Sequence, residues 1–213
     1  MKRFAHDQAS IYIAPFQRAN FKWDAAFILG TAAIVTTDRR TIGVVSRDNE
    51  SISRNISDIG LYSSGATAVT IFVTGLITDN AHAREAGFLT GEALVSAYPV
   101  YVGLQLIAGR ERPDEGLGHR RFFQDHSTGT SFPSGHAMFT WTMAAVLAHE
   151  YPRTWFKVLA YSTAAAVSVA RYTGREHFVG DVALGGFIGY FLGRHIFNMH
   201  CSGQYSERCQ NPP

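Results

Sequence analysis

The chain has 213 residues, 46% of them hydrophobic and 17% charged, with a formal net charge of +2. That length supports one sizeable core and gives no sign of a second folded unit, and so mild a charge on scattered Lys and Arg argues against a nucleic-acid partner. A mean hydropathy of -0.03 fits a soluble helical bundle better than a polytopic membrane protein.

In chain order, residues 1–22 read as a mixed N-terminal arm that lacks the continuous apolar stretch of a secretory signal. A first helix is predicted over 23–37, and the polar stretch 38–55 reads as a loop or short helix. Helices follow over 55–78, 81–108, 135–150, 154–171 and 176–197. The fold class is therefore all-α, a single bundle of about six main helices over 23–200, with 201–213 as a polar tail. The stretch between Arg112 and Ser134, rich in Gly, charge and His, is expected to form a lid. The run 59–78 is charge-free and long enough to span a bilayer, but Gly60, Gly65, Gly75 and its Ser and Thr residues dilute its hydrophobicity. A soluble protein with membrane contact at most is the expectation. Gly185, Gly189 and Gly193, spaced by four, suit close approach of a neighbouring helix. In the tail, Cys201 and Cys209 are near enough to close a small loop, and a disulfide there would indicate an oxidising compartment.

Three short elements carry chemistry: Arg112-Pro113, then Pro133-Ser134-Gly135-His136, then Ala170-Arg171 followed by His177 and Asp181. On a helix, His177 and Asp181 share one face, so the carboxylate is expected to accept a hydrogen bond from one imidazole nitrogen and leave the other as nucleophile. Ser134 reads as the N-cap of a helix whose free N–H groups suit an anion. His136, in the first turn, is placed to protonate a leaving group. Arg112 and Arg171 are permanently charged forks matched to phosphate oxygens. Taken singly, Arg-Pro and Ser-Gly are ordinary helix punctuation. Their co-occurrence in this order carries the reading. His82, His119, His126, His149, His195 and His200 show no metal-ligand spacing, and no catalytic metal is expected.

Together these elements resemble the signature of the type 2 phosphatidic acid phosphatase superfamily, which includes bacterial class A acid phosphatases, lipid phosphate phosphatases and vanadium haloperoxidases. That signature reads Lys-x6-Arg-Pro, Pro-Ser-Gly-His and Ser-Arg-x5-His-x3-Asp. The resemblance implies a helical bundle and metal-independent phosphoester hydrolysis through a phosphohistidine, without a cofactor. His177 would be the nucleophile and His136 the leaving-group acid, with phosphate held by Arg112, Arg171, Ser134 and Gly135. The implied partner is a phosphorylated small molecule or a lipid headgroup. Vanadate would inhibit, or act as cofactor in a haloperoxidase. Because superfamily phosphatases commonly act outside the cytoplasm, an extracytoplasmic, periplasmic setting is implied.

The sequence departs from the signature at two positions, with Ala170 replacing Ser and Gln105 replacing Lys. Seven residues make nearly two helical turns, so Gln105 should share a face with Arg112 and offer phosphate a neutral donor. Substitution of Gln105 by Lys is then expected to raise activity. Arg110 would be turned away from that face, which leaves Arg120 or Arg121 as candidates to replace the missing charge. Two other readings compete. A vanadate-dependent haloperoxidase is disfavoured by Gln105 and by chain length, and a non-catalytic phosphate- or headgroup-binding module by the presence of His136, His177 and Asp181.

Overall fold

The computed structural model describes residues 8, 9, 11, 13, 21–114 and 121–200. Six helices carry most of them: α1 (Phe21–Ile42), α2 (Glu50–Ile77), α3 (Ala81–Ala108), α4 (Gly135–Glu150), α5 (Thr154–Thr173) and α6 (Val179–His200). No strand occurs among the described residues, as the all-α reading requires. Most of the N-terminal arm lies outside the described residues, as do the tail and its Cys201 and Cys209.

Local chemistry sets the helix ends. The Asn80 side chain accepts a hydrogen bond from the Ala83 N–H, and Gly109, at φ 48°, closes α3 with its own N–H on the Gln105 carbonyl. A Cβ at Gly109 would collide with the main chain of Asp125, so glycine is required there on two counts. Elsewhere the boundaries move from those predicted. α1 runs through 38–42 because Asp38 is fully buried, its Oδ1 accepting from the Gly180 N–H at 2.8 Å. α2 begins five residues early, at Glu50, so that Glu50, Arg54 and Asp58 lie one turn apart on one face. α6 begins late, because Arg175 takes a left-handed φ of 55° while its guanidinium holds the carbonyls of Ile42 and Val45, each at 3.1 Å.

Residues 121–134 form a fastened wall rather than the expected lid. Phe123 N–H donates to the Ala108 carbonyl at 2.8 Å, Gln124 N–H to Gly109 at 2.9 Å and Ser131 N–H to Arg110 at 2.7 Å.

In the packed interior, α4 makes its most extensive contact with α6. Glycines on α6 permit this: a Cβ at Gly185 would sit 2.5 Å from the Ser134 carbonyl, and one at Gly189 would strike the main chain of Met138. Leu89, Ala93, Ala97, Met138, Val146, Leu192 and Ile196 fill the core between α3, α4 and α6. The outer faces reverse the usual pattern. On α2 the buried residues are Ser53, Ser57, Ala68 and Gly75, whereas Ile59, Tyr62, Val69, Leu76 and Ile77 are exposed. Phe88, Val95 and Ile107 on α3, Trp155 and Val158 on α5, and Phe187 and Phe191 on α6 also face outward. A helix in water turns its large apolar residues inward, whereas in lipid small residues bring helices together and large ones meet the tails. Among the described residues α2 is the helix long and apolar enough to cross a membrane; its 28 residues extend for ~42 Å against a hydrocarbon core of ~30 Å. This surface speaks against the soluble bundle expected from composition.

Candidate active site

His177 lies in the connection between α5 and α6, and only 2% of it is exposed. Its Nδ1 meets the Ser131 carbonyl oxygen at 2.6 Å. A carbonyl only accepts, so Nδ1 carries the proton and Nε2 keeps the lone pair. Burial, together with the positive charges of Arg171 and Arg112, holds this imidazole well below the usual histidine range. It is therefore neutral near pH 7, the state a nucleophile needs.

Asp181 does not touch His177, contrary to the expectation of a shared helical face. α6 starts at Val179, so His177 precedes the helix that carries Asp181, and the four-residue spacing no longer aligns them. The Asp181 carboxylate instead accepts from Arg110 Nη1, from Ser131 Oγ and from the Phe178 N–H at 2.9 Å. It acts on His177 at one remove, through Ser131. Arg110 is completely buried, pairs with Asp38 at 2.8 Å as well as with Asp181, and has Phe122 and Phe178 rings 4.7 and 4.2 Å from its guanidinium carbon. Both carboxylates and both rings close round it, which makes it a structural centre.

His136 occupies the first turn of α4, and its Nε2 lies 2.8 Å from Asp58 Oδ1. A carboxylate accepts, so this nitrogen donates. Ser134 is the N-cap by position, yet its hydroxyl caps nothing. Its Oγ is buried without a hydrogen-bond partner in the protein, as is Arg171 Nε. Both atoms are open to a hydrogen bond from water or from a bound group. Ser134 N–H, in contrast, donates to the Asp181 carbonyl at 3.0 Å. Gly135 has no room for a side chain, since a Cβ would come within 2.9 Å of the Tyr101 ring.

The two expected phosphate clamps do converge. Arg112 Nη1 and Arg171 Nη2 both reach Glu176 Oε2, the latter at 3.1 Å. Arg112 is further fixed by Nε donating to the Gly129 carbonyl at 2.9 Å, and Arg171 by Nη1 donating to Ser57 Oγ at 3.3 Å. Gln105 is brought near but faces another task. Its side-chain amide donates to the carbonyls of Thr130 at 2.9 Å and Pro133 at 3.4 Å, while its oxygen accepts from the Gly129 N–H at 2.6 Å. Completely buried, it braces the loop that delivers Ser131 and Ser134. Arg121 binds Glu111 at 3.0 Å, and Arg120 lies outside the described residues.

Sequence reasoning missed Arg54, Asp58 and Glu176, and it set Arg110 aside as a phosphate ligand without finding its pairing with Asp38 and Asp181. A signal for the first two existed: the charges of α2 all fall at 50, 54 and 58, after which the helix is uncharged to its end. Among the described residues no group of three or more His, Cys, Asp or Glu side chains is arranged to hold a metal ion.

An all-helical bundle thus brings two histidines and several guanidinium groups to one end, beside buried donors that have no partner in the protein. The profile of the PAP2 superfamily matches residues 86–202, more than half of the sequence, and the chain belongs to that family. A transmembrane PAP2 type phosphatidylglycerolphosphate phosphatase from Bacillus subtilis, known from its crystal structure, shares the fold. The match has a TM-score of 0.57 at 18% identity and covers 95% of this chain and 98% of that one. No curated protein matches the sequence. Family and fold together support a phosphatase.

Proposed function

We propose that the chain is a membrane-embedded phosphatase that removes phosphate from lipid monoesters or pyrophosphates through a phosphohistidine on His177. The observation that carries this reading is the meeting of Arg112 and Arg171 on one carboxylate, that of Glu176, directly beside His177. Two guanidinium groups from distant parts of the chain thus define an anion site next to an imidazole held neutral.

In this scheme the phosphoryl group binds Arg112 and Arg171, with the Ser134 hydroxyl and the first N–H groups of α4 completing the cradle. The His177 Nε2 lone pair attacks phosphorus in line, the P–O bond to the leaving group breaks, and the arginines stabilise charge on the equatorial oxygens. Burial and the charge of Arg171 disfavour the protonated form of His136, and direct pairing with Asp58 opposes them. The His136 imidazolium gives one proton to the departing oxygen. Water then attacks the phosphohistidine and loses its proton to His136, and the P–N bond breaks to release inorganic phosphate and neutral His177. Asp181, Arg110 and Gln105 position this machinery without touching substrate.

Two observations favour a lipid. The helices carry small residues inside and large apolar residues outside. An apolar groove of about 360 Å³, lined by Trp141, Ser168, Val182, Gly186, Phe187 and Tyr190, lies among α4, α5 and α6, the helices that also carry His136, Arg171 and Asp181, and would seat an acyl chain. The Bacillus subtilis protein of similar fold is itself named for a lipid phosphate.

The test is hydrolysis of phosphatidic acid and of p-nitrophenyl phosphate in detergent with chelator present. His177→Ala should lower both rates by at least ~1,000-fold. Retained activity in that variant would end the proposal, and halide oxidation dependent on vanadate and peroxide would favour a haloperoxidase.

A further inference from the structure

The cradle formed by Arg112 and Arg171 has a third cation. Arg54, in the first turns of α2, donates from Nη1 to Glu176 Oε1 at 3.2 Å, while Arg112 and Arg171 take Oε2. Both oxygens of a single carboxylate are thereby spread over three guanidinium groups. Arg54 is not committed elsewhere by a strong contact. Its other charged neighbour, Glu50, lies 3.9 Å from Nη2, and its side chain is 40% exposed, so it faces the open side of the site. Gln105, at the end of α3, supplies no charge, and its amide is tied to the loop 129–133.

We propose that Arg54 is a third phosphate-binding residue and that Glu176 holds the place of the substrate's phosphate until the latter displaces it. This rests on the reading of Arg112 and Arg171 as phosphate clamps. Arg54, Arg112, Arg171 and Arg175 face three carboxylates, Glu50, Asp58 and Glu176, which leaves one excess positive charge that a phosphate dianion compensates better than the Glu176 monoanion. A phosphate also offers three oxygens, one per guanidinium, where the carboxylate has two. Glu176 competes with substrate, and its removal should tighten anion binding.

The experiment measures inhibition by inorganic phosphate and by orthovanadate of p-nitrophenyl phosphate hydrolysis, using the full chain in detergent. Arg54→Ala should raise both inhibition constants by about tenfold, with Arg54→Lys intermediate. Glu176→Gln should lower them severalfold, and this gain should shrink in the double variant lacking Arg54. Constants within twofold of wild type in Arg54→Ala, or a higher constant in Glu176→Gln, would overturn the proposal. Arg112→Ala and Arg171→Ala separate the two levels. If these variants lose phosphate inhibition while Arg54→Ala keeps it, only the third clamp fails; if they too keep it, the active-site reading fails. Should a variant not fold, binding of phosphate to Arg54→Gln, followed by thermal shift with and without phosphate, decides the same question.

Discussion

Arg110 and Arg112 stand two residues apart and belong to two opposite kinds of cluster. Arg110 is shut between Asp38, Asp181, Phe122 and Phe178 with no exposed side-chain surface. Arg112 keeps 22% of its side chain exposed and shares one carboxylate with Arg171 and Arg54. Charge balance accounts for the difference. Two carboxylates neutralise and exceed one guanidinium, so the first cluster has no use for an incoming anion, whereas in the second Arg54, Arg112, Arg171 and Arg175 outnumber Glu50, Asp58 and Glu176 by one and leave room for one. An arginine beside a catalytic histidine is thus read by counting its counter-charges rather than by its proximity.

The sharpest way to break this contrast is to open the closed cluster. Arg110→Ala would leave Asp38 and Asp181 buried without their cation, a loss of about 3–5 kcal/mol, and should appear as a large fall in thermal stability or in folded yield. A next test addresses proton supply on the open side. Asp58→Asn should lower kcat by ~10- to 100-fold with little change in KM, and more for an alkyl phosphate than for p-nitrophenyl phosphate, whose leaving group needs no proton. Equal losses for both would assign Asp58 a different task. Gln105→Lys, expected from sequence to raise activity, is now expected to destabilise by about 1–3 kcal/mol, since lysine cannot accept from the Gly129 N–H; a rate gain at unchanged melting temperature would show the side chain reaching phosphate after all. The smallest effect concerns pH. Because the proton affinity of His177 is depressed, it stays unprotonated until well below the ordinary value, so kcat/KM, corrected for substrate ionisation, should show no acid limb near ~6.5. A limb at that value would mean an imidazole in contact with water.

Much of the site was legible in sequence because its signals are local. Pro133 to His136 announces a helix start, and the structure begins α4 there; the ends of α3 at Ala81 and Ala108 follow from Asn80 and Gly109. Long-range pairing was not legible. The spacing of His177 and Asp181 suggested a helical pair, but nothing short of the fold reveals that Arg175 turns left-handed and delays α6. Starting α2 at Asn55 hid Arg54, although the spacing of Glu50, Arg54 and Asp58 encoded its face. Composition misled on solvent, because an average over 213 residues cannot distinguish glycine inside and isoleucine outside from the reverse.

Ser131 joins the two halves of the catalytic end: its carbonyl fixes the His177 tautomer, its N–H meets Arg110 and its hydroxyl meets Asp181. The group that orients the nucleophile therefore belongs to the polypeptide itself. Replacing Ser131 by alanine erases the link to Asp181 but leaves that oxygen in place, so an alanine scan would overlook the contact that readies the imidazole. Its importance would emerge only from changes that move the main chain, such as those at the loop's brace on α3.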